Sequence, residues 1–273
     1  MLFFVAAPAH AQFSLDRLDI NKLLDTAKNV VKATSDIGEP EEIQIGKDLA
    51  ARLLGAAPLA KDENLQRYVN RVGRWLALQT ERPDLPWQFG VMEAPQLNAF
   101  AVPGGTIFVT RGLVERMKSE AELAGVLGAR DLARAAQAPP EGDPEGRADR
   151  ARRRRAQPGA AATSAPTRAR SWSRSARRCT RAASTRATSS EADRLGVVIA
   201  ARAGYDAYGL PAVLQTLQAM NAQDSALALM FKTHPAPGER LTALGETMQP
   251  TLDAYASQPQ LADRFLQQVK VRK

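Results

Sequence analysis

One cysteine, two histidines and three tryptophans in 273 residues set the first limits on this chain. With Cys179 alone, no disulfide framework can form. No apolar run is long enough to span a bilayer as a helix. The scarcity is sharpest between Ala129 and Ser190, where there is no Val, Ile, Phe, Tyr, Met or Lys and Leu132 is the only leucine. Such a stretch offers no apolar stripe of helical period and no alternation of strand period, so it cannot contribute a packed core. It is expected to be disordered as written.

What the chain does have is charge in the wrong place for a nucleic-acid binder. The formal charge is +8, yet 15 arginines and only five acidic residues fall within 129–190. The remaining residues hold 22 basic against 24 acidic side chains, a net of −2. The basicity belongs to one segment and not to the folded body, and nucleic acid is not an expected partner. At the other end, Met1–Gln12 has a short apolar core closed by Ala9-His10-Ala11, the pattern of the second half of a secretory signal without its positive start. Export, to a periplasm in a bacterium, is the expected localisation, and membrane association stays open.

Outside the anomaly the periodicities are ordinary. Helices are expected over Ile20–Lys32, Glu41–Leu54 and Asn64–Gln79, the last stopped by Arg82-Pro83-Asp84-Leu85-Pro86. Trp87–Met92 alternates as a strand, and Leu97–Val102 turns through Pro103-Gly104-Gly105 into Thr106–Thr110. Ser119–Gly128 reads as a helix with Ser119 and Glu122 as its capping box. Further helices are expected over Glu191–Ala203, Leu210–Asn221, from the turn Thr233–Arg240 through Met248, and from about Gln258 to Val269. The domain plan is a signal-like segment 1–11, a helix and linker 12–40, a body split into 41–128 and 191–250 around the segment 129–190, and a C-terminal helix 251–273. The class is α+β, mostly helical with a small antiparallel hairpin sheet.

Three in-frame pieces, Leu97-Asn-Ala-Phe-Ala-Val-Pro-Gly-Gly105, Ser119-Glu-Ala-Glu-Leu-Ala-Gly-Val-Leu127, and Glu191-Ala-Asp-Arg-Leu-Gly196 with the later His-Pro-x-Pro-x-x-Arg run at His234, together resemble one family. They are similar to the zinc metallopeptidases of the CAAX prenyl protease type, family M48, in their bacterial periplasmic branch. The resemblance implies a zincin-like domain, a zinc ion held by an H-E-x-x-H helix and a later Glu, and hydrolysis of peptide bonds in unfolded or envelope polypeptides. Histidines four apart share a helix face and can hold one ion, and the Glu between them acts as general base on the metal-bound water.

On that resemblance the ligand positions are Ala129, Ala133 and Ser189, and the general-base position is Arg130. Neither alanine has a lone pair to give, so zinc is a cofactor of the intact family and is not expected in this chain. His234 is expected beside the metal or the tetrahedral intermediate, Arg240 in an ion pair or at the oxyanion, and Asp193 against a ligand histidine. Asn98, Ala99, Phe100 and Ala101 are expected to form the strand edge on which a peptide substrate adds.

The genetic code suggests how the ligands were lost. Read from the second nucleotide of the Ala129 codon, degenerate codons permit His-Glu-Ile-Ser-His-Val. Read from the last nucleotide of Arg178, they permit Leu-Tyr-Thr-Arg-Gly-Leu-Asp-Lys-Ser-Asp-Glu, whose Glu overlaps position 189. Both motifs return in place, in two different frames, which points to small insertions or deletions between codons 128 and 191. The chain as written is therefore expected to be catalytically dead, with flanks that alone bury too little to fold. Two other readings stand beside this one: a non-catalytic, chaperone-like peptide binder that kept the strand edge, and an Arg-rich interaction protein. Oligomeric state is not legible.

Overall fold

The computed structural model describes residues 38–129, 190–220 and 235–269. The expected helix at Ile20–Lys32 and all of 129–190 except its two end residues lie outside them.

Helix α1 (Glu39–Ala56) opens with Pro40 in its first turn and three glutamates, Glu39, Glu41 and Glu42, at its positive end. Helix α2 (Glu63–Ala77) starts where the Asp62 carboxylate accepts the Leu65 N–H at 3.1 Å, an N-cap bond. Its buried face is Leu65, Val69, Val72 and Leu76, at the spacing the sequence shows.

Strands β1 (Gln88–Met92), β2 (Ala99–Val102) and β3 (Thr106–Thr110) form one sheet in the order β1-β3-β2. The β2–β3 hairpin is antiparallel as expected, but β1 joins the far side of β3 in parallel, so the sheet is mixed. Alternation reports which face a side chain takes and is silent on strand direction. The hairpin turns through Gly104 (φ 76°) and Gly105 (φ 91°), conformations that favour glycine. Helix α1 crosses that turn closely: a Cβ on Gly46 would stand 1.8 Å from the Pro103 carbonyl oxygen.

The sheet separates two cores by strand parity. Phe89, Val91, Ile107 and Val109 enter the main core, whereas Phe108, Phe100, Val102 and Met92 pack with Leu49 and Leu53 of α1. The outer edge of β1 is closed by side chains of α2: Asn70 accepts the Phe89 N–H at 3.0 Å, and Gln66 accepts the Val91 N–H at 2.9 Å while donating to the Val91 carbonyl at 2.7 Å. These bonds satisfy an edge that would otherwise template another strand.

After the short helix α3 (Arg111–Val114) comes α4 (Glu120–Leu127), capped by Ser119, whose hydroxyl accepts the Glu122 N–H at 3.1 Å. The reciprocal bond is displaced by one residue, since Glu122 accepts the Lys118 N–H at 2.8 Å. Helix α5 (190–202) ends at Gly204 (φ 88°), followed by α6 (Gly209–Gln218), α7 (Pro237–Leu252) and α8 (Ala262–Val269). Helix α7 runs one turn beyond the expected end at Met248, and α8 starts four residues later than expected.

The two flanks share one core. Leu123, Ala124 and Leu127 of α4 pack with Ile199 and Ala200 of α5, Val213 and Leu217 of α6 and Phe265 of α8. A second seam joins Val197 and Ala201 of α5 to Leu214 of α6 and to Leu244, Met248 and Leu252 of α7. Against the expectation that the flanks bury too little between them, α4, α6 and α8 share one core among the described residues. At about 25 cal/mol per Å² of apolar surface, each fully buried leucine in such a core contributes roughly 2 kcal/mol. No helix among the described residues is long and apolar enough to cross a membrane.

Candidate functional site

Just past the C-terminal end of α4 lies Ala129, the position that the resemblance implies for the first ligand. Ala129 is buried there, 2 % exposed, among Val197, Ala201, Leu210 and Leu214. The approach is tight: a Cβ on Gly196 would stand 2.0 Å from the Ala129 Cα, so only glycine lets α5 cross here. Gly196 lies three residues after Asp193, which places the Asp193 helix turn against the end of α4.

Asp193 is fully buried and Arg240 nearly so. Arg240 donates through Nε to Asp193 Oδ2 at 2.7 Å and through Nη2 to Oδ1 at 2.6 Å, a two-pronged bond that ties α7 to α5. Both Asp193 oxygens are thus engaged by Arg240, where a bond to a ligand histidine was expected. Arg240 makes an ion pair with Asp193.

At the sheet edge, Asn98 is buried, its N–H donated to Thr110 Oγ1 at 3.1 Å and its side-chain oxygen accepting the Ala99 N–H at 2.9 Å. Phe100 points into the α1 core, while Ala99 and Ala101 are half-buried on the opposite face. Among the described residues β2 pairs with β3 alone, so what it can offer a peptide is its backbone edge and not the Phe100 side chain. Arg130, Ala133, Ser189 and His234 lie outside the described residues.

Among the described residues, those around Ala129 supply no donor set for a zinc ion. Alanine at 129 supplies no donor atom, and its surroundings are apolar. Among the described residues no three His, Cys, Asp or Glu side chains gather to hold a metal.

One buried cluster escaped the sequence reading. Glu120, in the first turn of α4 and 1 % exposed, accepts hydrogen bonds from Tyr68 Oη at 2.6 Å, Tyr205 Oη at 2.8 Å and Arg264 Nε at 2.7 Å, with a further bond from Arg264 Nη2. Burial alone pushes this carboxyl up, but the bonds from Arg264, Tyr68 and Tyr205 outweigh it and hold it below the ordinary carboxylate range. Burial and then Glu120 itself drive both tyrosines well above their usual range. The partners lie 52, 85 and 144 residues away, so no local pattern announces them. Glu122, two residues on, goes the other way: burial raises it, and the Lys118 N–H only partly compensates.

A family model for peptidase family M48 matches residues 63–128 and 171–248, together more than half of the chain. The chain belongs to peptidase family M48. The first matched block stops at the residue before Ala129, and the second resumes inside the arginine-rich segment. Among M48 relatives, the beta-barrel assembly-enhancing protease of Escherichia coli (strain K12) is 27% identical over 219 residues, covering 77% of this chain and 44% of that protein. The putative beta-barrel assembly-enhancing protease of Vibrio cholerae is 28% identical over 248 residues, 85% of this chain and 51% of that protein. Mitochondrial metalloendopeptidase OMA1 of Schizosaccharomyces pombe is 40% identical over 60 residues, 22% of this chain and 18% of that protein. The chain thus spans about half the length of the bacterial M48 relatives it matches.

Proposed function

We propose that this chain carries the scaffold of an exported, zinc-dependent M48 endopeptidase for unfolded or envelope polypeptides, and that as written it is catalytically silent. The observation that carries the proposal is the contrast at one helix crossing. Asp193 and Arg240 keep a buried, doubly bonded pair, while the ligand position beside Gly196 is a buried alanine. A scaffold that retains the pair but not the donors is what a local change of reading frame leaves behind. The matched block that ends at residue 128 supports that border. In this reading β2 is the edge on which a peptide lies, Arg240 fixes α7, and His234 acts beside the metal of the intact scaffold. The name of the bacterial relatives, beta-barrel assembly-enhancing protease, supports envelope polypeptides as the substrate class of the intact scaffold.

The test is to resequence the encoding DNA across codons 125–195 from its source, and in parallel to assay the purified chain on unfolded casein. The expected results are a frame that restores H-E-I-S-H with a Glu at position 189, and no hydrolysis by the chain as written. Chelator-sensitive casein cleavage by the chain as written would sink the proposal.

A further inference from the structure

The outer face of α2 carries arginines and large apolar side chains in one stripe. At 3.6 residues per turn, Arg67, Arg71, Arg74, Trp75 and Leu78 fall within about 100° of arc, opposite the buried Leu65, Val69, Val72 and Leu76. Leu78 belongs to the stripe because, as the C-cap residue, it keeps helical backbone angles. Four large apolar side chains stand exposed among the described residues, and the two most open are Leu78 at 59% and Trp75 at 49%. Their placement three residues apart on one helix makes a patch and not scattered exposure.

The charge beside that patch has one sign. Arg67 is paired with Glu63 at 3.2 Å, but among the described residues no carboxylate meets the exposed Arg71 or Arg74. No acidic residue lies between Asn64 and Thr80. Trp75 donates its indole N–H to the Ala203 carbonyl at 2.9 Å. The residue before Ala203, Arg202, is exposed and also meets no carboxylate among the described residues. Outside 129–190 the chain sums to −2, so the stripe is a local concentration of positive charge on a slightly acidic chain.

This charge complements an anionic headgroup layer, and the apolar pair selects a lipid surface over a soluble acidic partner. Arginine stems lie along apolar surface while their heads stay at the level of the phosphates. An aromatic and an aliphatic side chain beside them enter the acyl boundary, as on helices that lie in the interface plane. The Trp75 indole N–H is already satisfied, so the ring enters without stranding a donor. A soluble acidic partner would answer the arginines and leave Leu78 in water. The sheet order β1-β3-β2, with α2 closing the β1 edge, sets this helix at the edge opposite β2. Contact through α2 therefore leaves the β2 edge open.

We infer that the Arg71–Leu78 face of α2 is a membrane-contact surface that binds anionic phospholipid. Trp75 and Leu78 enter the headgroup–acyl boundary, and Arg71 and Arg74 meet the phosphates. The contact does not depend on a metal at the peptidase site.

The arginine-rich segment 129–190 would itself draw the chain to an anionic surface, so the test reads the patch locally. In the full chain with Cys179→Ser, which removes its only thiol, Leu78→Cys carries an environment-sensitive fluorophore. The same label at Thr242→Cys, an exposed position on α7, is the control. On vesicles of phosphatidylcholine mixed with phosphatidylglycerol, the label at 78 is expected to shift to the blue and the label at 242 to stay unchanged. Phosphatidylcholine alone is expected to shift neither. Arg71→Gln with Arg74→Gln replaces exposed side chains and spares the core. It is expected to lower the ratio of shifted to unshifted label at 78 about thirtyfold at fixed lipid. No shift at 78, equal shifts at both positions, or a shift that ignores the arginine substitutions would each overturn the inference. So would a larger shift with poly-glutamate or single-stranded DNA than with the vesicles.

Discussion

Two buried arginine–carboxylate sites flank helix α4, and they are built differently. At its start, Glu120 gathers donors from α2, from the loop after α5 and from α8. Beside its end, Asp193 meets, among the described residues, Arg240 alone, tying α5 to α7. The Glu120 carboxylate keeps two tyrosine donors if its arginine leaves, and that arginine is half open to water, with 55% of its side chain exposed. Among the described residues the Asp193 pair has no such reserve: its partners are 0% and 8% exposed, and either one removed strands a buried charge. The first site is therefore a tolerant staple and the second an all-or-none one. The all-or-none site lies on the helix turn that meets Ala129.

The largest effect expected is for Asp193→Ala, which strands the Arg240 guanidinium and should lower stability by about 3–5 kcal/mol in urea unfolding. Glu120→Gln should cost about 2 kcal/mol, because the amide keeps the shape but surrenders charge-assisted bonds. Removing the α4 cap with Ser119→Ala should cost about 1 kcal/mol. Arg264→Gln should cost about 1 kcal/mol or less, since an exposed guanidinium is well screened and the tyrosines remain. An Arg264→Gln loss as large as that of Asp193→Ala would erase the distinction between the two sites.

A titration sharpens the comparison within α4 itself. Glu120 is held below the unfolded value of about 4.3, so the unfolded chain binds more protons in that window. The stability it gives is complete above that value and is lost as pH falls through its folded pKa. Glu122 is raised, so its effect has the opposite sign: its stabilising share is present below about 4.3 and is lost as pH rises through its folded pKa. Urea midpoints between about pH 3 and pH 7 should show a steeper acid loss in Glu122→Gln and a shallower one in Glu120→Gln than in the parent chain. Identical profiles in the two variants would contradict this assignment.

What the sequence showed, and what it hid, follows the range of the interactions. Helices α2 and α4, the Ser119 cap and the Gly104-Gly105 turn are written in spacings of a few residues and were read to within a residue or two. Asp193 and Arg240 were singled out by resemblance, yet that they bind each other across 47 residues needed the fold. The parallel placement of β1 was hidden because alternation is the same in either direction. Glu120 was hidden because a carboxylate next to a capping serine reads as an ordinary first-turn charge. The shared core of the two flanks was underestimated for a related reason. Gly125, Gly128 and Gly196 contribute no apolar side chain to count, yet they let backbones close to contact, as where a Cβ on Gly125 would stand 2.5 Å from the Leu210 nitrogen.

The measurement that bears most directly on the central claim is the zinc content of the purified full chain after exchange into metal-free buffer. The account predicts no stoichiometric zinc, because the ligand positions that the resemblance implies carry alanine and serine where the chemistry needs imidazole and carboxylate. One tightly held zinc ion per chain, released only by a strong chelator, would contradict it.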